Sequence, residues 1–235
     1  MYLLALAIAP GLAISIYIFW KDRYDREPTR LLILAFILGF LSTIPAAWLE
    51  GKIDSLGIIH ASSVAKTAVY AFVGVAIIEE AVKFLVVFRF LYPKKDFDEP
   101  FDGITYCVMA SMGFATLENI AYVIDYGATT GFMRMFTAVP AHAAFGVIMG
   151  YFMGLAKFDE ERSNTYLAYA LFAPTILHAA YDFPLLIDEG VVPWLDHYRL
   201  LGALITLAIG IWLSRKAIRI HQYNSPFKNG KPGTS

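Results

Sequence analysis

The chain has one cysteine, Cys107, among its 235 residues. A lone thiol closes no internal disulfide and builds no thiolate metal site. Its apolar neighbours make it a small packed residue rather than a nucleophile. Charge is also scarce: 17% of residues are Asp, Glu, Lys or Arg, where soluble domains carry about 25%. What charge there is nearly cancels, at −1, so there is no basic footprint for nucleic acid and no nucleic-acid partner is expected. The space is filled by apolar residues, 58% of the sequence against about 45–50% in ordinary domains. That composition describes an all-α, polytopic membrane helix bundle set in a lipid bilayer, with the cell membrane as its location.

A spanning helix needs about 20 mostly apolar residues. Seven stretches qualify: residues 3–20, 31–49, 64 or 66 to 91, 103–124, 132–156, 166–187 and 200–213. The first has no basic region before it and no persuasive cleavage site, so it reads as an uncleaved span. Pro10-Gly11 and Pro45 are candidate kinks, and Pro174, Pro184 and Pro193 make 163–193 the weakest helical stretch. Residues 1–223 read as one transmembrane domain. The Pro/Gly/Lys-rich 224–235 reads as a disordered cytoplasmic tail. Lys52, Lys66, Arg134 and Arg199 fall on one side of the membrane; apart from Lys83, every other Lys and Arg falls on the opposite side. The positive-inside rule then places the N-terminus outside and the C-terminus in the cytoplasm, which agrees with an odd number of spans.

Against this background, the third span is anomalous. Its apolar run contains Glu79, Glu80 and Lys83, although a charge at the bilayer centre costs about 2.5–3.5 kcal/mol even on insertion scales. Span four carries Glu118 and Asn119, span five His142, and span six His178 and Asp182. Counting about 1.5 Å per residue from the nearest cytoplasmic polar residue puts Glu79 ~15 Å deep and Glu118, His142 and His178 ~21–24 Å deep. Four helices thus bring ionisable groups to one layer, at mid-membrane or somewhat outward of it. Such groups face the bundle interior or a water-filled cavity, and one shared cavity is the economical arrangement. Glu79 and Lys83 are i and i+4, as are His178 and Asp182, so each pair shares a helix face. His142, Gly146, Gly150 and Gly154 keep a four-residue spacing, a small-residue stripe that admits a close helix neighbour.

Carboxylates and imidazoles can bind zinc through O and N while leaving a position for water, with a remaining glutamate as general base. Without metal, a glutamate and a histidine can activate water directly. Both routes lead to hydrolysis in a membrane cavity. A proton- or cation-coupled transporter would also place Glu and His at mid-membrane; it would commonly show related halves, and no internal repeat is visible. Ser111 is seven residues from Glu118 and reads as packing. Asp102 reads as a helix N-cap, and His60, His197 and His221 as solvated.

Four motifs run in order along these spans: EExxK at Glu79–Lys83, GFAxxEN at Gly113–Asn119, HxxxG at His142–Gly146 and HxxxD at His178–Asp182, with Glu99–Tyr106 leading into the fourth span. Over residues 66–183 the sequence resembles the PrsW family of intramembrane proteases, in the broader group that includes the CAAX endopeptidases. The resemblance implies an endopeptidase that clips membrane-anchored proteins, as in the first, extracytoplasmic cut of an anti-sigma factor. It also implies a metalloprotease with Zn2+ as cofactor, although glutamate-dependent relatives leave a metal-free route open. On that reading Glu79 or Glu80 is the general base, and Glu118, His142 and His178 are metal ligands or water-positioning groups. Asp182 orients His178 or adds a ligand, Asn119 stabilises the oxyanion, and Lys83 balances the glutamates.

Overall fold

The computed structural model describes residues 2–56 and 63–228. Every regular element among them is helical: α1 (Tyr2–Lys21), α2 (Thr29–Ser55), α3 (Val64–Val69), a π-helical stretch (Tyr70–Ala76), α4 (Ile77–Phe90), α5 (Pro100–Phe136), α6 (Ala138–Phe158), a 3-10 turn (Glu160–Arg162), α7 (Ser163–Leu186), the short α8 (Pro193–Asp196) and α9 (Arg199–Tyr223). Residue His60, expected in a solvated loop, and residues 229–235 of the tail lie outside the described residues.

α5 is the axis of the bundle. Pro100 starts it at a position where its missing N–H is harmless. The start is fixed by a capping box in which Glu99, not Asp102, is the N-cap. Asp102 sits three residues in and accepts the backbone N–H groups of Asp98 (2.8 Å) and Glu99 (2.7 Å). Every residue from Phe101 to Thr116 is buried. Two neighbours approach α5 through glycine: a Cβ at Gly39 or Gly113 would collide with backbone across the α2–α5 contact, and one at Gly103, Gly150 or Gly154 with backbone across the α5–α6 contact. The glycine stripe after His142 is therefore a helix seam, as its spacing implies, and Ser111 and Cys107 pack along it.

The outside of the bundle is apolar. α2 exposes Ile33, Ile37, Leu41, Ile44 and Trp48 along one face, and α9 exposes Ile205, Ile209 and Trp212. In water such faces would be an aggregation liability; against lipid tails they are the expected surface. Helices α1 (from Leu3), α2, α5, α6 and α9 are long and apolar enough to cross a membrane, and the protein is a multi-pass membrane protein. The 64–90 run and α7, the other two expected spans, carry Glu79, Glu80 and Lys83, and His178 and Asp182, respectively. The 64–90 run is divided by its π-helical stretch, and α7 runs unbroken through Pro174 and Pro184.

Three boundaries differ from the sequence reading. The fourth span does not stop near residue 124. The helix continues to Phe136 through a break at Gly127, whose φ of 81° and ψ of −171° are open to glycine but not to a residue with a Cβ. Residues 132–136, expected to open span five, belong to this second leg, and α6 starts at Ala138. α9 extends beyond 213 to Tyr223 and buries His221, whose Nε2–H donates to the Tyr151 carbonyl at 3.0 Å. His221 is thus not solvated, whereas His197 is exposed as expected. Just past α9, Ser225 is buried and its hydroxyl donates to Glu99.

Candidate active site

The π-helical stretch ends immediately before the acids. Its i→i+5 pattern shifts the angular register of everything after it, and such bulges recur at functional sites. Tyr70, at its start, is anchored to α2 by a 2.6 Å hydrogen bond from its hydroxyl to Asp54. α4 then places Glu79, Glu80 and Lys83 inside the bundle at 5%, 0% and 0% exposure, so these charges can only be held by one another and by neighbouring helices.

Lys83 Nζ donates to Glu80 Oε1 at 2.6 Å and lies 3.6 Å from Glu79 Oε2, 3.3 Å from His142 Nδ1 and 4.5 Å from the centre of the Phe114 ring. Glu80 Oε1 also receives His178 Nδ1 at 2.9 Å. The other nitrogen of His178, Nε2, is 3.1 Å from Asp182 Oδ2 and 3.9 Å from Glu79 Oε2. An ammonium group only donates, so the Nδ1 of His142 must accept and its Nε2 carries the proton. That Nε2–H donates to Glu118 Oε2 at 2.8 Å. The two imidazole rings stand 5.3 Å apart and nearly perpendicular, and Phe145 stacks on His178.

Glu79, Glu118, His142, His178 and Asp182 line one cavity of about 640 Å³ between α2, the π-helical stretch and helices α4 to α7. The expected convergence of four helices is present. Glu80, Lys83 and Asn119 do not line it. Glu80 is fully enclosed behind Lys83 and His178. The amide of Asn119 is engaged away from the cavity, with Nδ2 donating to the Ala7 carbonyl of α1 (3.1 Å) and Oδ1 accepting from Arg134 Nε (3.0 Å).

Two cavity residues escaped the sequence reading. Arg134, counted only among the basic residues of the outer side at the start of the expected fifth span, pairs with Glu118 at 2.8 Å and lies 3.8 Å over the Tyr122 ring. Glu50, read as part of a polar connection, lines the cavity from the end of α2, and its Oε1 is buried without a hydrogen-bond partner. Charge accounting was the available signal for Arg134: several acids at depth against one lysine called for a second cation.

The donor set suits a metal ion. Glu79, His142 and His178 are all buried and offer ligand atoms within 4.8 Å of one another. Glu79 Oε2 has no hydrogen-bond partner. Two carboxylates, those of Glu79 and Asp182, converge on His178 Nε2, and such groups repel unless a proton or cation lies among them. Two imidazoles and a carboxylate form a familiar catalytic zinc set. Of the four ligands expected, His142 and His178 belong to this cluster; Glu118 and Asp182 contact the histidines, and Glu79 completes the group.

A cavity inside a membrane-spanning bundle, walled by imidazoles and carboxylates with a metal-competent centre, fits a membrane-embedded hydrolase. Comparison with known proteins narrows the class. Residues 27–213 match the PrsW family of intramembrane metalloproteases, and the chain belongs to that family. It is similar to "Protease PrsW" of Geobacillus kaustophilus, 40% identical over 187 residues (80% of this chain, 81% of the relative). It is also similar to the proteins of that name in Bacillus subtilis (35% over 182 residues; 77% and 81%) and Clostridioides difficile (34% over 192 residues; 79% and 80%). No solved structure matches the chain. The protein is thus an intramembrane protease, and the transporter alternative finds no support.

Proposed function

We propose that the protein cuts single-span, membrane-anchored proteins, anti-sigma factors being the class the family suggests, using a water activated in the Glu79–His142–His178 cavity. We further propose seven crossings with the N-terminus outside, which sets the cavity toward the extracytoplasmic half of the bilayer. The observation that carries the reading is the meeting of Glu79, His142 and His178 at one cavity wall.

Glu79, His142 and His178 would hold Zn2+ once Lys83 releases the His142 Nδ1 lone pair; bound there, the ion would polarise a carbonyl and make water a better nucleophile. Glu80 accepts a hydrogen bond from His178 Nδ1–H and so fixes that ring. Lys83 offsets the charge of both glutamates. Asp182 is the cavity carboxylate beside His178 with neither a lysine nor an arginine partner among the described residues. We assign it the proton transfer: it takes a proton as the water oxygen bonds to the carbonyl carbon, then gives it to the amine nitrogen as the C–N bond breaks. Phe114 and Phe145 give the cavity apolar walls beside the two histidines. Asn119, facing α1, is assigned a structural part in place of oxyanion stabilisation.

The test uses purified protein in detergent with a panel of single-span substrates. Wild type should cleave at least one; Glu79→Gln and His178→Ala should not, and a chelator should abolish cleavage that added Zn2+ restores. Cleavage undiminished in both variants would overturn the assignment, and chelator-insensitive cleavage would leave the glutamate–histidine route without metal.

A further inference from the structure

We propose that Arg134 is a positioning residue of the peptidase site, acting through Glu118 on the ring of His142. The inference rests on the peptidase reading above and adds a member that none of the four sequence motifs contains.

Arg134 reaches the site because of the break at Gly127. Beyond it the second leg of α5 folds back on the first: a Cβ at Gly131 would strike Val123. Arg134 therefore returns to residues 12 to 16 positions earlier in the same helix. Its guanidinium is held on three sides, by the Tyr122 ring at 3.8 Å, by Asn119 Oδ1 at 3.0 Å and by Glu118 Oε2 at 2.8 Å. Asn119 is itself tied to α1 through the Ala7 carbonyl. The guanidinium thus has a fixed place, and Glu118 has a fixed partner. The same Glu118 oxygen receives His142 Nε2–H. This sets the His142 tautomer and leaves its Nδ1 lone pair on the Lys83 side.

The arrangement repeats what surrounds the other histidine. His178 donates to Glu80, which is held by Lys83; His142 donates to Glu118, which is held by Arg134. Each imidazole has a carboxylate behind it, and each carboxylate has a cation behind it. Partners of this kind orient a ligand histidine and raise its basicity, and their loss typically lowers metal affinity or activity about 10- to 100-fold.

The experiment is a double-mutant cycle on the full-length protein in detergent, with Arg134→Gln, Glu118→Gln and the pair, alongside Arg134→Lys. Cleavage kinetics and bound Zn2+ per protein are both measured. We expect Arg134→Gln to lower kcat about 10- to 100-fold with a smaller change in KM, and to lower Zn2+ occupancy in parallel. Arg134→Lys keeps the charge without the fork and should recover part of both. The double variant should be no worse than Glu118→Gln, because the effect of Arg134 passes through that carboxylate. Full additivity, or Arg134→Gln with wild-type kcat and occupancy, would overturn the proposal. If Arg134→Gln does not fold, as judged by its melting transition, Arg134→Lys alone and combined with Glu118→Gln carries the same cycle. A wild type that cleaves nothing speaks against the peptidase reading; a cleaving wild type with unaffected Arg134 variants speaks against this inference alone.

Discussion

Buried acids are handled in opposite ways at the two ends of α5. At the cavity end each carboxylate but Glu50 meets a basic group: Glu80 and Glu79 meet Lys83, Glu118 meets Arg134, and Asp182 meets His178. At the other end Asp22, Glu27, Glu99 and Asp102 are nearly enclosed, at 0–5% exposure, and their close partners are hydroxyls, backbone N–H groups and one another. Tyr106 donates to Glu27, Ser225 to Glu99, and the Glu27 backbone N–H to Asp22. Asp102 accepts the backbone N–H groups of Asp98 and Glu99. Burial pushes Asp22 up to about 8 and Glu27 up to about 7. The first region is built to keep ions; the second is built to keep protons.

That contrast can be broken most severely at the cavity. Asp182→Ala should lower cleavage by about 10²–10⁴-fold, the range for losing a proton-handling group. Glu80→Ala should add a loss of stability of about 3–5 kcal/mol, because Lys83 is left buried without its strongest partner; the two effects separate in kinetics and thermal melts. A smaller effect belongs to the far end. Asp102→Ala removes the acceptor of two backbone N–H groups at the start of α5 and should cost about 1–2 kcal/mol in a melt, with kcat unchanged. The smallest effect is the pH slope of stability. A carboxyl whose pKa is higher in the folded protein binds its proton more tightly there, so its stabilisation is complete below about pH 4 and is lost as pH rises through 7–8. Asp22→Asn should flatten the melting temperature across that window and leave substrate cleavage alone. A slope undiminished in Asp22→Asn would place the retained protons elsewhere.

The layer of acids and imidazoles was legible because burying a charge in an apolar run is costly enough to stand out residue by residue. The division of labour within adjacent pairs was not. Neighbouring helix positions point about 100° apart, so of Glu79-Glu80 and of Glu118-Asn119 only one member can face the cavity. Sequence treats the members alike, and the choice depends on how each helix is rotated. For α4 that rotation follows a π-helical stretch; for α5 it follows the glycine contacts with α2 and α6. Arg134 was missed for a related reason. Its partner lies sixteen residues back along a helix that reverses at Gly127, and the sequence reading ended that helix before the reversal. His221 was misplaced because α9 was cut short by its basic residues, whose long side chains can reach water while the backbone beside them stays packed.

The winding of residues 70–76 makes this enzyme sensitive to helix geometry at one spot. Rewinding the same seven residues as plain α-helix would turn everything downstream by about 100°. Glu79 would swing away from the histidines, and no side chain of the site would have been altered. A variant that keeps every motif residue and the same chain length but straightens this stretch would therefore carry all the right letters around a pocket that cannot assemble.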